Sequence, residues 1–319
     1  MSDLSIVLVT YNSADWIERC LASLPAAVGG REARVIVVDN ASTDDSARRA
    51  ERPGVEVIVN ERNVGFAAAV NQGARLAGSD WLLLLNPDTE ARPRSLDALL
   101  TFAEAHPGHG VYGGRTLRSD GTVEPSSCWG LPTLWSTTCF ALGLSTVFRG
   151  SRIFDPEAIG SWQRDSVRQV GMVSGCLLLV DRRTWARLGG FDERYYVYGE
   201  DADLNARARA LGLRPIITPD SEVVHAIGAS SGEIGNRMPL LLAGKLTYLR
   251  THLPRAQRTL AVCLFRAGVG IRALAFRLTG RGGRWGVAWR RRHEWWAGFP
   301  SPAVDPRAHD PESPEGAVL

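Results

Sequence analysis

Short apolar runs alternate with amphipathic stretches along the first third of the chain. Ile6–Val9, Val35–Val38, Val55–Val59 and Trp81–Leu85 are almost continuously apolar. Runs with no polar face mark strands buried on both sides, as in a parallel sheet. Between them, Ser13–Leu24, Asp44–Arg52 and Gly65–Ala77 carry helical spacing. Ser95–Ala105 adds a further helix, stopped at His106-Pro107-Gly108. This alternation predicts a Rossmann-like α/β fold: a mostly parallel sheet flanked by helices, with right-handed crossovers.

The pattern loosens from Val111 onward. Arg115–Val123 predicts a hairpin turning at Asp120-Gly121. Val173–Val180 is an apolar strand and Arg182–Leu188 a helix ended by Gly189-Gly190. Tyr198–Leu211 is a helix closed by Gly212. Arg214–Thr218 and Glu222–His225 predict two short strands. Pro125–Phe148 carries no charged residue, but Pro132, its glycines and its Ser/Thr content argue against a spanning helix. A buried or membrane-touching insertion is expected there, and no segment reads cleanly as a membrane span.

The C-terminal part changes character. From Lys245 to Trp296 the only acidic residue is Glu294, while Arg258, Arg266, Arg272 and Arg277 intersperse with Leu260, Leu264, Val269, Leu274 and Leu278. This predicts a basic amphipathic α-helical C-terminal extension, with Trp285, Trp289, Trp295 and Trp296 beyond it. Such a segment suits an anionic membrane surface. Its stripe fits a homodimer interface equally well, since periodicity does not separate the two. Pro, Asp and Glu dominate from Ser301, predicting a disordered tail.

Loops after successive parallel strands leave on one sheet edge, where open α/β sheets bind ligands. Thr10-Tyr11-Asn12 follows the first strand and Asp39-Asn40-Ala41-Ser42 the second. Asn63-Val64-Gly65-Phe66, running on to Asn71, follows the third, and Asn86-Pro87-Asp88 the fourth. Asp39 can accept hydrogen bonds from a base imide or a ribose hydroxyl, or cap a helix through the Asn40-Ala41-Ser42-Thr43-Asp44 turn. Asp88 delivers a lone carboxylate. That suits a hard divalent cation drawing its other ligands from phosphates, or simply closes a turn.

The strings VTYN, VVDNASTDDS, NVGFAAAVNQG, LLLLNPD and GGFDERYYVYGEDADLNARARALG resemble inverting glycosyltransferase family 2, of GT-A fold. Within it they are most similar to the rhamnosyltransferase- and galactofuranosyltransferase-like branch. The matching motifs span roughly Ser5 to Gly232. The resemblance implies a catalytic domain at 1–232, with a nucleotide-sugar-binding half at 1–110 and an acceptor-side half at 111–232. The basic extension then occupies 233–300 and the tail 301–319.

The resemblance further implies that Asp88 is the last acidic residue of the metal motif, whose first acidic position is Asn86 here. It implies His225 as a metal ligand, Asp201 as the catalytic base, and small residues near Gly175 beside the donor sugar. The implied cofactor is Mg²⁺ or Mn²⁺. The implied reaction is non-processive hexosyl transfer from a dTDP- or UDP-linked sugar, rhamnose first, to a glycan or lipid-linked acceptor. Galactofuranose, glucose and N-acetylglucosamine stay open.

The chemistry agrees with that assignment. Transfer needs charge neutralisation at the leaving diphosphate and a base for the attacking hydroxyl. Asp201 and Asp203 fall on different helix faces, so only one reaches the reacting centre. Glu200 can orient the acceptor or cap its helix. Tyr198 and the nearby aromatics Trp129, Trp135, Trp162, Tyr195 and Tyr196 could stack on sugar rings, although core packing is their default.

Composition narrows the alternatives. The 319 residues carry a net charge of +3, and no recognition motif accompanies the C-terminal arginines, so nucleic acid is not an expected partner. Cys20, Cys128, Cys139, Cys176 and Cys263 lack paired spacing and read as buried reduced thiols. The first strand begins at once, leaving no room for a signal peptide. The expected location is cytoplasmic, peripheral at the inner face of the plasma membrane. The chain lacks the Gln-x-x-Arg-Trp of processive synthases and the Gly-rich opening loop of sugar nucleotidyltransferases. A non-catalytic nucleotide-binding or membrane-associated scaffold is the alternative from another class.

Overall fold

The computed structural model describes residues 3–225, 234–279 and 283–300, the side chains of 234–236 aside. Its first half follows the apolar pattern. Strands β1 (Leu4–Thr10), β2 (Ala33–Asp39), β3 (Val55–Val59) and β4 (Trp81–Leu85) lie parallel in the order β3-β2-β1-β4. Helices α1 (Ala14–Ala27), α2 (Ser46–Ala50) and α3 (Phe66–Leu76) make the crossovers. After β4 come β5 (Thr89–Ala91), α4 (Ser95–Ala105) and β6 (Val111–Leu117). Every residue of β1 is buried, because the sheet is covered on both faces. One apolar cluster joins Leu4, Ile6 and Leu8 to α1 and α4; a second joins Val7 and Val9 to α3.

Beyond β4 the sheet becomes mixed. The expected hairpin is β6 paired antiparallel with β7 (Val123–Glu124), its turn held by Thr122 N donating to Asp120 Oδ1 at 2.9 Å. Short strands β8 (Cys128–Trp129), β9 (Arg168–Gln169) and β10 (Met172–Val173) flank an irregular region with helices α5 (Leu134–Ala141) and α6 (Leu144–Val147). Strand β11 (Leu177–Asp181) inserts antiparallel between β4 and β6. Helices α7 (Arg182–Leu188) and α8 (Glu200–Ala210) and strand β12 (Ile216–His225) complete this part.

Several expectations change. The single strand expected at Val173–Val180 is two: Ser174-Gly175-Cys176 interrupts it, and Cys176 O instead accepts from Asn86 N at 3.2 Å. The two strands expected across Arg214–His225 are one, carrying an irregularity between Ile217 and Glu222. Among the described residues the extension holds four helices: α9 (Ile234–His252), α10 (Arg255–Leu278), α11 (Arg284–Arg290) and α12 (Arg292–Trp295). Among the described residues α10 is the helix long and apolar enough to cross a membrane, where no span was expected. Trp295 is no interfacial tryptophan. It is fully buried against Phe265 and donates Nε1–H to Ala288 O at 2.8 Å. Cys263 is exposed, unlike the other four cysteines. The 301–319 tail and residues 226–233, which follow His225, lie outside the described residues.

Candidate active site

At the carboxyl edge of β1, β2 and β4 the loops enclose a cavity of about 760 Å³. Tyr11, Asn12, Asn63, Gly65, Phe66, Asn86 and Asp88 line it from the first half. Gly175, Tyr198, Glu200, Asp201 and His225 line it from the second. The structure therefore brings together most of the residues singled out by sequence.

Polar side chains of the first half are largely occupied in building the wall. Asn12 Oδ1 accepts from Thr43 N at 2.8 Å, tying the first loop to the second. Asn63 Oδ1 accepts from Asn40 Nδ2 at 2.8 Å and Gly65 N at 2.9 Å. Gly65 has φ +89°, and a Cβ there would lie 2.6 Å from Tyr196 O, so only glycine fits. Beside it Phe66 N donates to that same carbonyl at 2.6 Å.

Three candidates sit behind the wall. Asp39 is 1% exposed and accepts from Thr10 Oγ1 (2.8 Å), Ser42 N (2.9 Å) and Ser42 Oγ (2.6 Å). The helix that follows has Asp45, not Asp39, at its N-cap, and the Asp39 carboxylate is instead engaged within its own loop. Thr10 is the partner in that arrangement. Asn71 clamps Phe191 through Phe191 N (2.9 Å) and Phe191 O (2.8 Å) and also reaches Glu193 (3.0 Å). None of the three lines the cavity.

The second half supplies the ionisable groups. His225 Nε2 lies 3.3 Å from Asp88 Oδ1, and both side chains are nearly buried. His225 Nδ1 is buried with no hydrogen bond to a described residue. Asp201 Oδ1 accepts from Ala202 N at 2.7 Å and Oδ2 from Gly175 N at 3.4 Å. Burial pushes its carboxyl up, and those N–H donors oppose the shift only in part. Glu200 is raised well above the carboxylate range, first by burial and then by the charge of Asp201. Asp203 points away from the cavity, bonded to Arg207 Nε (2.8 Å) and His252 Nε2 (2.6 Å).

Geometry before α8 is strained. Tyr198 has φ +69°, a region a bulky residue seldom enters, and Gly199 has φ +103°. Gly244 of α9 abuts them, and a Cβ there would overlap the Tyr198 carbonyl oxygen. Sequence reasoning missed Arg237 and Leu240, which α9 contributes to the cavity wall. They lie in the region read as a separate extension, so no motif flagged them. Tyr196 and Tyr198 reach the cavity; Trp129, Trp135, Trp162 and Tyr195 do not.

A mostly parallel sheet flanked by helices, with a cavity at its carboxyl edge, is a GT-A-like fold, and the comparisons agree with that fold. Residues 5–156 match the model of Glycosyl transferase family 2. The chain belongs to that family and is a glycosyltransferase. It is 35% identical, over 72% of its length and 78% of the relative's, to N-acetylglucosaminyl-diphospho-decaprenol L-rhamnosyltransferase of Mycobacterium tuberculosis. It is 28% identical over 71% of its length to the O-antigen biosynthesis protein RfbC of Myxococcus xanthus, covering 17% of that longer protein. The fold resembles the mannosyltransferase PcManGT of Pyrobaculum calidifontis, solved with GDP-Man and Mn²⁺ (TM-score 0.54, 19% identity, 93% of this chain and 83% of that one). It likewise resembles residues 1–349 of S. aureus TarS (TM-score 0.54, 16% identity, 94% and 81%).

Proposed function

We propose that this glycosyltransferase moves rhamnose, with inversion, from a pyrimidine nucleoside diphosphate to a hydroxyl of a lipid-linked glycan on the cytoplasmic side of a membrane. The observation that carries the reading is the convergence of Asp88, His225 and Asp201 on one cavity. The rhamnosyltransferase relative supports the choice of sugar and of a lipid-diphosphate acceptor.

Asp201 is the base. The acceptor hydroxyl gives its proton to this carboxylate as its oxygen attacks the anomeric carbon. The new C–O bond forms on the face opposite the diphosphate, whose bond to the sugar breaks and which leaves with the electron pair. A carboxyl raised by burial is a stronger base than an ordinary aspartate. Glu200 is raised by burial and by the Asp201 charge, and its buried Oε2, which has no described hydrogen-bond partner, would serve to orient the acceptor.

The residues fit a divalent cation. One carboxylate and one imidazole meet at the wall, and the imidazole keeps a buried nitrogen without a described partner. Among the described residues no third His, Cys, Asp or Glu joins them. Mg²⁺ or Mn²⁺ suits such a set, taking its remaining oxygens from diphosphate and water. Bound there, it would supply the charge neutralisation that the departing diphosphate needs.

Thermal shift with UDP, dTDP, GDP and ADP, each with Mn²⁺ or chelator, tests the donor site. A ligand at ~100 times its dissociation constant adds about 2.7 kcal/mol. Metal-dependent stabilisation by a pyrimidine diphosphate, lost in Asp88→Ala, is the expected result. A folded protein indifferent to every nucleotide would sink the proposal. Transfer from dTDP-rhamnose, compared with UDP-galactofuranose, then decides the sugar.

A further inference from the structure

Helix α10 is apolar on two faces. Ala261, Val262, Phe265, Gly268, Val269 and Ala273 are buried. Ala261, Val262, Phe265 and Val269 pack into a helical core with α9, α11 and α12, and Gly268 packs on α5. On the other side Leu260, Cys263, Ala267, Ile271, Leu274 and Leu278 recur at steps of three and four residues and are exposed, Leu278 by 78%. A helix on a soluble protein ordinarily carries charge along that face. Three of its arginines are engaged elsewhere. Arg266 lies over Trp296 at 4.4 Å and Arg272 over Phe140 at 3.8 Å, while Arg258 donates to Leu253 O at 2.8 Å.

A second apolar cluster adjoins the stripe. Leu142, Val147 and Phe148, around α6, are all exposed. Gly268 packs so closely on α5 that a Cβ would lie 2.8 Å from Ala141 Cα, and Arg272 Nη2 donates to Thr146 Oγ1 at 3.3 Å. Both clusters therefore border one seam between α10 and the α5–α6 segment. Arg149, Arg152 and Arg277 are exposed beside them. No acidic residue occurs from Pro125 to Phe154 or from Lys245 to His293.

We propose that this seam docks on an anionic lipid bilayer. Leu142, Val147, Phe148, Ile271, Leu274 and Leu278 sit among the acyl chains, and the arginines sit among the headgroups. The charge pattern selects this occupant. A second copy would bring the same arginines together across a two-fold interface with no carboxylate from either segment to meet them. Anionic lipid supplies the missing charge. The helix lies on the membrane and does not cross it, because a crossing would strip its inner face from the helical core. This goes beyond the reading of the acceptor, and vesicle binding is scored without turnover.

The test is co-sedimentation of the full chain with vesicles of phosphatidylcholine alone or mixed with phosphatidylglycerol. Binding to the mixed vesicles, weak on phosphatidylcholine and released by salt, is expected. Leu274→Glu with Leu278→Glu should lower partitioning by about tenfold or more per leucine, with the melting temperature and the nucleotide response unchanged. Val147→Ser, on the other segment, should weaken binding with the same controls. Absence of binding, or binding indifferent to all three substitutions, overturns the proposal. So does attachment that survives high salt and alkaline carbonate, which marks a spanning helix. A dimeric mass in solution that the leucine substitutions halve, with vesicles unbound, assigns the face to a second copy instead.

Discussion

Glu200 and Asp201 sit side by side at the start of α8, and burial raises both carboxyls. A group whose folded pKa exceeds its unfolded one binds more protons in the native state. Its contribution to stability is complete below the ordinary carboxylate range and is lost as pH rises through the raised value. Glu200→Gln should therefore raise the melting midpoint at neutral pH and change it little in acid. A pH series of thermal denaturation reads this, and an equal shift at every pH would contradict it. Asp201→Asn should lower kcat by about 10²–10⁴-fold while nucleotide binding persists. The wild-type acid limb should stand above the ordinary aspartate value of 3.8 and vanish in the variant. That the loops carrying Asn12, Asn63 and Asp88 gather at one sheet edge was legible from strand order, whereas Asp201 and His225 were singled out by the family resemblance. How Asp39 and Asn71 spend their hydrogen bonds was not legible. Their partners, Thr10 with Ser42 and Phe191, are fixed by loop conformation, which leaves no periodic trace.

At the scale of elements, sequence pattern served well where a regular period runs unbroken. β3, β4 and α4 match their expected ranges. It failed where tertiary contact interrupts a pattern. Ser174-Gly175-Cys176 leaves the strand because Gly175 N and Asn86 N take partners across the cavity, and an apolar run does not signal that. The packing of α9 on the loop before α8 is a further such contact. Gly244→Ala pushes a methyl group into the Tyr198 carbonyl and should cost about 1–3 kcal/mol as overpacking. Because Tyr198 and Gly199 set the approach of Asp201, kcat should fall along with stability. Chemical denaturation and steady-state kinetics of this one variant measure both. Loss of stability with unchanged kcat would mean that the loop moves independently of the base.

Over the whole molecule, the helical extension and the catalytic half share their packing. His252 of α9 holds Asp203 of α8, and Ala202 belongs to the apolar cluster of α9 and α10. Charge composition made residues 233–300 look like an appendage, because arginine density is a surface statistic and says nothing about the inward face. A chain ended at residue 232 should expose the partners of Met238, Leu242, Leu246 and Leu249. It is expected to be insoluble or to melt well below the full chain, and limited proteolysis of the full chain should not release a stable 1–232 fragment. Recovery of a folded, nucleotide-responsive fragment would show that the catalytic half needs no such cover.

The meeting of Gly65 and Phe66 with the Tyr196 carbonyl bears on how such enzymes can be recombined. The cavity wall of the first half borrows part of its rim from the Tyr196–Tyr198 segment, proposed here to serve the acceptor, and that segment is in turn braced by Gly244. Acceptor halves exchanged between relatives would arrive with a foreign rim. A chimera joined near residue 110 should lose donor affinity as well as change acceptor. The smallest transplantable cassette is the run from the middle of the fold through α9, carried over intact.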